Sequence, residues 1–334
     1  MQNEYLLELK DLRTTFLTEN GPLTVVNGVS FGVVAGETLG IVGESGCGKS
    51  VTSESILRLL NEKSTRYAGE INYKNNNLLV LSKEEMRKIR GNEISMIFQD
   101  PMTSLNPVYT IGDQIAESII IHQKLTKKEA YLKAIEMLRL TGIPSPEKRV
   151  NEYPHELSGG MRQRVMIAIA LACEPNLLIA DEPTTALDVT IQSQILDLIQ
   201  DLKQKSNMGV ILITHDLGVV AEICTRVVVM YLGEIIEEAL VGDLFDNPLH
   251  PYTRGLLKSV PQLDGDRTQK LHVIKGTVPH LSKVPQGCRF APRCAYATKT
   301  CEESSPELIG TGHKVRCWNF EAILQKEGEL YAAQ

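Results

Sequence analysis

Eight consecutive residues near position 45 have the types and spacing to form a pocket for nucleotide phosphates. They are Gly43, Glu44, Ser45, Gly46, Cys47, Gly48, Lys49 and Ser50, between an apolar run over 38–42 and a helical pattern over 51–60. Between a strand and a helix, glycines let backbone N–H groups turn toward phosphate oxygens, and the helix N-terminus adds partial positive charge. We therefore expect this loop to bind a nucleoside triphosphate, with Lys49 reaching the β- and γ-phosphates and the Ser50 hydroxyl binding Mg²⁺.

Two carboxylates, Asp181 and Glu182, follow a second apolar run over 177–180. Asp181 would hold Mg²⁺, directly or through water, and Glu182 would polarise an attacking water. An acidic pair between a strand and a turn is common and decides little by itself. Together with the phosphate loop, however, it favours hydrolysis over binding alone.

A third segment, Ser158, Gly159 and Gly160, precedes a helical pattern that runs to about residue 172. Ser158 can cap that helix, while the two glycines leave backbone donors open to an anion. Taken alone, the segment is an ordinary helix start.

Strands alternating with helices must position these groups. Residues 4–34 alternate apolar and polar positions around a turn signal at 18–22, which predicts antiparallel strands. The remaining predicted strands lie at 69–73, 94–98, 177–180, 210–214 and 226–231, and the predicted helices at 84–90, 192–203 and within 111–172. This order predicts a mostly parallel sheet with a helical insertion. A change of composition near Gly242, followed by several prolines, marks a separate C-terminal extension.

Length and charge narrow the class of protein. A chain of 334 residues with 43% hydrophobic residues can form two domains, and its formal net charge of −6 argues against nucleic-acid binding. No apolar run approaches the roughly 20 residues that cross a bilayer, and the N-terminus lacks a secretory profile. We therefore expect a cytosolic protein whose membrane role, if any, comes through a partner.

Four of the seven cysteines, Cys288, Cys294, Cys301 and Cys317, lie within thirty residues of one another. In a reducing cytosol such a cluster favours metal binding over disulfides. Four thiolates suit an iron–sulfur cluster, whereas structural zinc usually uses tight Cys-x₂₋₄-Cys pairs, which this cluster lacks. The residues alone leave both metals open.

The segment Leu157–Arg164 resembles the signature motif of the ATP-binding cassette (ABC) ATPases, with Met161 where many members carry glutamine. The resemblance covers roughly residues 4–240. It implies a P-loop NTPase fold, with a RecA-like mixed sheet core, an antiparallel β subdomain and an inserted helical subdomain at about 100–172. The nucleotide-binding domain would span 1–241. In this family the signature motif contacts the γ-phosphate held by the opposite subunit, which implies that role for Ser158, Gly159 and Gly160.

Other family elements occur in order along the chain. By resemblance, Gln99 touches Mg²⁺ and relays the nucleotide state to membrane domains, and His215 contacts the γ-phosphate and positions water. The segment 186–188 communicates across the dimer, and Phe16 is the candidate for stacking on adenine.

The extension, 242–334, resembles the tail of oligopeptide and dipeptide importer ATPases at 250–253, 285–294 and 313–318. Members of that group can carry a [4Fe-4S] cluster in this tail, which favours iron–sulfur over zinc at the four cysteines. The resemblance implies ATP hydrolysis that energises import of di- or oligopeptides; import of nickel or another small solute, or a soluble non-transport ATPase, are the alternatives. The expected partners are two membrane-spanning permeases, a paralogous ATPase or a second copy, and indirectly an extracytoplasmic solute-binding protein. The chain would lie at the cytoplasmic side of the membrane.

Overall fold

The computed structural model describes residues 5–100, 104–184, 189–259 and 273–325. They divide into two compact units that alternate along the chain. The first takes residues up to 8, 32–38 and 71–213, and the second takes 9–31, 39–70 and the residues from 214 onward. Of the functional segments, 177–182 and 158–160 belong to the first unit, and 43–50 and the C-terminal extension belong to the second.

Three parallel strands form the centre of the first unit. They are β6 (Ile94–Ile97), β7 (Leu177–Asp181) and β8 (Gly209–Ile213), with β7 between the other two. All of their residues are buried. Their mostly apolar sequences are typical of parallel strands covered on both faces.

Helices supply the rest of the first unit. Its described helices are α2 (Lys83–Ile89), α3 (Ile111–Gln123), α4 (Lys127–Leu140), α5 (Pro146–Arg149), α6 (Gly159–Leu171) and α7 (Val189–Ser206). The predicted helical stretch 111–172 is therefore four separate helices. Helix α4 begins at a capping box in which Thr126 and Glu129 satisfy each other's backbone N–H groups. In α3 the fully buried Ile111, Ile115 and Ile119 recur every four residues and form one apolar face.

A mixed set of strands forms the second unit. Strand β3 (Thr38–Val42) pairs in parallel with β9 (Arg226–Tyr231), which pairs antiparallel with β10 (Glu234–Leu240). The extension adds the short strand β11 (Lys314–Val315) to β10, also antiparallel. The unit's described helices are α1 (Lys49–Ile56), α8 (Leu217–Ile223), α9 (Val241–Asp246), α10 (Pro251–Lys258) and α11 (Lys299–Glu303).

A further sheet contains the N-terminal strands. Strand β1 (Leu7–Thr18) lies between β2 (Gly21–Val33) and β4 (Thr65–Tyr73), and β5 (Asn76–Asn77) pairs antiparallel with the end of β4. The turn between β1 and β2 takes residues 19–20, within the predicted span 18–22, whose first and last residues belong to the strands.

Strand β10 is absent from the sequence prediction because three of its seven residues are glutamates, and charged residues are rarely buried. Each of these glutamates is buried beside a partner. Glu234 pairs with Arg289, and Glu238 with Arg226 and Lys314. Glu237 accepts hydrogen bonds from the backbone N–H groups of Leu249 and His250. Buried carboxylates of this kind are tolerated when they are fully paired.

Among the described residues, none of the helices combines the length and apolar composition that crossing a membrane would require.

Candidate nucleotide site and C-terminal thiol pocket

The phosphate loop connects β3 to α1 in the second unit. Gly43 and Gly48 have φ angles of 153° and 100°, in the region that favours glycine. A Cβ atom at Gly43 would lie 2.3 Å from the carbonyl oxygen of Met230, and one at Gly48 would lie 3.1 Å from that of Val25. Both glycines are therefore required by backbone geometry and by close packing.

Lys49 is buried at the start of α1. Its Nζ donates hydrogen bonds to the carbonyl oxygens of Gly43, at 2.7 Å, and Glu44, at 3.1 Å. The N-cap residue of α1 is Gly48, which has no side chain to occupy the free backbone N–H groups of the first turn. These N–H groups can therefore bind an anion. The loop thus presents a lysine and a helix start at one place, as a phosphate site requires. Ser50 lies in the first turn of α1 and is half-buried.

His215 also belongs to the second unit and is exposed. The backbone on both sides of it is fixed. The Thr214 N–H donates to the carbonyl of Ile41, at 3.4 Å, and its hydroxyl accepts from the Asp216 N–H, at 3.0 Å. Asp216 in turn caps α8 by accepting from Gly218 and Val219. A histidine held between two anchored residues has a defined position from which to act.

The acidic pair lies in the first unit, at the end of β7. Asp181 is buried, while Glu182 is half-buried and adopts a positive φ of 47°. Such a backbone is costly for a residue with a side chain, and it recurs at functional sites. Gln99, which follows β6, donates from Nε2 to Glu182 Oε2 at 3.0 Å. The structure therefore brings together Gln99 and Glu182, two residues that the sequence analysis selected separately.

The signature segment starts α6 in the same unit. The Ser158 hydroxyl accepts from the Met161 N–H at 3.3 Å, so the predicted N-cap is confirmed. Ser158 and Gly159 are exposed, and a Cβ at Gly159 would meet nothing within 4 Å. Gln163 of this helix donates to the carbonyl of Pro183, which links α6 to the turn after the acidic pair.

One further predicted residue and one predicted segment give less information. Phe16 lies in β1 and is half-buried. The segment 186–188 lies outside the described residues.

The four C-terminal cysteines line one pocket, together with Phe290 and Trp318. All four are free thiols. Burial raises the pKa of Cys294 and of Cys317 to about 11, and it also raises the pKa of Cys288. Hydrogen bonds also reach the sulfurs: for example, Cys294 Sγ accepts from the Tyr296 N–H at 3.4 Å, and Cys301 Sγ lies 3.5 Å from Asn319 Nδ2.

Within the described ranges, however, no three or more His, Cys, Asp or Glu side chains form a group that could hold a metal ion. The side-chain positions therefore give no support to a metal site at these cysteines, and the iron–sulfur cluster and its zinc alternative both stay predictions.

Two residues of the extension contact the phosphate loop, although the sequence analysis gave them no role. The Tyr252 hydroxyl accepts a hydrogen bond from the Glu44 N–H, and Arg293 binds the Glu44 carboxylate. Both lie in the tail segments, 250–253 and 285–294, that resemble importer ATPases, and this resemblance is the signal by which the sequence could have pointed to them. Their contact with a residue more than 200 positions away could not be read from sequence.

Comparisons with known proteins agree with this geometry. The family model described as "ABC transporter" matches residues 26–185, and the model "Oligopeptide/dipeptide transporter, C-terminal region" matches 236–301. A probable peptide ABC transporter ATP-binding protein of Sinorhizobium fredii is 56% identical, over 96% of this chain and 97% of its own length. The chain belongs to the ATP-binding subunits of the oligopeptide and dipeptide ABC transporters. It is thus an ABC-type ATPase.

Further relatives and structures extend the comparison. The oligopeptide transport ATP-binding protein AppD of Bacillus subtilis is 54% identical over 95% of this chain and 97% of its own length. The dipeptide transport ATP-binding protein DppD of the same organism is 52% identical over 94% and 95%. A dimeric ATP-binding cassette bound to ADP and Pi in a post-hydrolysis state superposes with a TM-score of 0.64 and 28% identity, covering 70% of this chain and 98% of that one. The ABC ATPase fold, a P-loop NTPase fold with mixed α/β sheets, is therefore established.

Proposed function

We propose that this chain binds and hydrolyses ATP to energise the import of di- or oligopeptides. The observation that carries the proposal is the phosphate loop, whose two glycines at positive φ, buried lysine and helix start form a phosphate site. The relatives named as oligopeptide and dipeptide transport proteins supply the substrate class.

Within that function, we assign roles to individual residues. Residues 43–50 hold the triphosphate, with Ser50, Asp181 and Gln99 serving Mg²⁺. Glu182 polarises water, and His215 contacts the γ-phosphate. Phe16, half-buried on β1, stacks on adenine. The hydrogen bond from Gln99 to Glu182 supports the role of Glu182, because it orients the carboxylate that must polarise water.

We also propose that two cassettes act together, with Ser158, Gly159 and Gly160 of one completing the phosphate site of the other. The exposed, capped start of α6 supports this, because its backbone donors are available to an anion from outside the chain. The second cassette is another copy or a paralogue. ABC cassettes of similar fold have been solved as dimers.

The proposed working complex includes two permeases and, indirectly, a solute-binding protein, with this chain at the cytoplasmic side of the membrane and no nucleic-acid partner. Its domains would be 1–241 for the cassette and 242–334 for the extension, a division that the two matched regions support.

For the extension, we propose a [4Fe-4S] cluster bound by Cys288, Cys294, Cys301 and Cys317, with zinc as the alternative. Four free thiols around one pocket fit the Cys₄ ligand set of such a cluster. Bound there, the cluster would cross-link these four positions, which lie within thirty residues of one another in the tail.

Two experiments test these proposals. Vesicles containing the full transporter should take up labelled peptide only with ATP, and nickel uptake instead would favour the alternative solute. Anaerobic purification should give a brown chain with about four irons, and Cys294→Ser should lose both colour and iron. A colourless, zinc-only sample would contradict the cluster.

A further inference from the structure

In the phosphate loop, the side chain and the main chain of Glu44 are both held by described residues of the C-terminal extension. Its carboxylate accepts two hydrogen bonds from Arg293, at 2.5 Å from Nη1 and 3.0 Å from Nη2. Its backbone N–H donates to the Tyr252 hydroxyl at 2.8 Å. We propose that Arg293 and Tyr252 are positioning residues for ATP binding, which act through Glu44 on the phosphate loop.

The ion pair has the geometry of a strong interaction. The side chain of Arg293 is 4% exposed, and its guanidinium presents two parallel donors to the two carboxylate oxygens. The hydrogen bonds to Glu44 raise the pKa of Arg293, so the guanidinium keeps its charge. Breaking it would leave a buried cation without its carboxylate, which is costly.

Arg293 itself is held in place. Its Nε donates to the carbonyl of Lys275 at 3.1 Å, and its guanidinium lies 5.8 Å from the centre of the Tyr231 ring. Its backbone N–H donates to the carbonyl of Phe290 within a short 3₁₀ turn. A fixed arginine can hold the loop in one position, whereas a mobile one would follow it.

Tyr252 is equally fixed. It is fully buried at the start of α10, and its ring packs against Tyr231 and Phe290, with ring centres 4.9 and 5.5 Å away. Its hydroxyl therefore holds the main chain of Glu44 from a rigid aromatic cluster.

Glu44 passes this constraint to the lysine. Lys49 Nζ donates hydrogen bonds to two backbone carbonyl oxygens, and one of them belongs to Glu44. The N–H, the carboxylate and the carbonyl of one residue thus connect Tyr252, Arg293 and Lys49. Without the extension's two contacts, the loop would have to be ordered at the moment when ATP binds, and affinity would fall.

The test compares Arg293→Met with Arg316→Met in the full chain. Arg316 is the matched control because it also immediately precedes a cysteine of the thiol pocket and is half-buried. It donates to the carbonyls of Ile235 and Pro306 instead of to the phosphate loop. The readouts are the Kd for ATP, kcat and KM for ATP hydrolysis, and Tm.

We expect Arg293→Met to raise Kd and KM for ATP about tenfold and to change kcat less than twofold, because bound ATP gives Lys49 a phosphate partner of its own. Arg293→Lys keeps the charge but loses the two parallel N–H donors of the guanidinium, so its affinity for ATP should lie between those of Arg293→Met and the wild type. Tyr252→Phe should raise Kd severalfold. In a double-mutant cycle, Glu44→Gln and Arg293→Met should be strongly non-additive.

Equal Kd values for Arg293→Met and Arg316→Met, or additive effects of Glu44→Gln and Arg293→Met, would overturn the inference. If Arg293→Met does not fold, the variants Tyr252→Phe and Glu44→Gln test the inference instead. A wild-type Kd for ATP in both of them would overturn it. The inference rests on the proposed ATP-binding role, but the two fail differently. A wild-type chain that does not bind ATP would refute that role, whereas an ATP-binding chain that is indifferent to Arg293 would refute only the inference.

Discussion

Replacing Gly43 with alanine should damage the phosphate loop more than replacing its neighbour Gly46. The added Cβ at position 43 would lie 2.3 Å from the Met230 carbonyl oxygen and 2.8 Å from Cys47 Sγ. The carbonyl belongs to the buried strand β9 and cannot move aside cheaply. Overpacking of this kind costs about 1–3 kcal/mol, and a φ unsuited to alanine adds about 1–2 kcal/mol.

The total of about 2–5 kcal/mol can appear in two ways. If the loop shifts, affinity for ATP falls by about thirtyfold or more, since 1.4 kcal/mol is tenfold. If β9 shifts, Tm falls instead by several degrees. Gly46 also has a positive φ, of 79°, but a Cβ there would meet nothing within 4 Å. Gly46→Ala should therefore show only the smaller conformational cost.

Isothermal titration with ATP and Mg²⁺, together with thermal unfolding, measures both quantities. A Gly43→Ala chain with wild-type affinity and wild-type Tm would refute the reasoning, because the close approach to Met230 would then have no energetic consequence. Equal losses in the two alanine variants would show that φ alone, and not packing, decides.

Two further predictions concern the extension. Glu237→Gln should lower the free energy of unfolding by about 1–3 kcal/mol, because a buried backbone N–H of Leu249 or His250 would then face an amide N–H₂; denaturant unfolding measures this, and a change below 0.5 kcal/mol, taken as about the scatter of surface substitutions, would contradict it. Burial lowers the pKa of His250 to about 4 from 6.5, so its contribution to stability should be complete above pH 6.5 and should be lost as the pH falls through 4. His250→Asn keeps a side-chain acceptor for the Tyr252 N–H. The free energy of unfolding should therefore change less between pH 7 and pH 4 in this variant than in the wild type, and an equal change in both would exclude His250 as the cause.

The parts of the molecule that could be predicted from sequence are those whose cause is local. The phosphate loop is readable because Gly43, Gly48 and Lys49 are fixed by the conformation of eight residues. The cap at Ser158 and the buried strand before Asp181 are readable for the same reason. Capping and apolar runs depend on neighbours in the chain.

What could not be predicted depends on partners far along the chain. Strand β10 looks polar in sequence because some of the groups that satisfy its glutamates, such as Arg289 and His313, are more than fifty residues away. The ion pair between Arg293 and Glu44 joins residues that are 249 positions apart in the sequence. The left-handed backbone at Glu182 is likewise invisible in sequence, because nothing local distinguishes that glutamate from any other at a strand end.

The most direct test of the account is the Glu182→Gln chain with ATP and Mg²⁺, measured for nucleotide binding, turnover and mass in solution. The account predicts ATP affinity within a few-fold of wild type, loss of nearly all turnover, and a nucleotide-dependent dimer with a second cassette. Unchanged turnover would remove Glu182 from the chemistry, and a strictly monomeric state with ATP, alone and with the membrane subunits, would contradict the shared phosphate site.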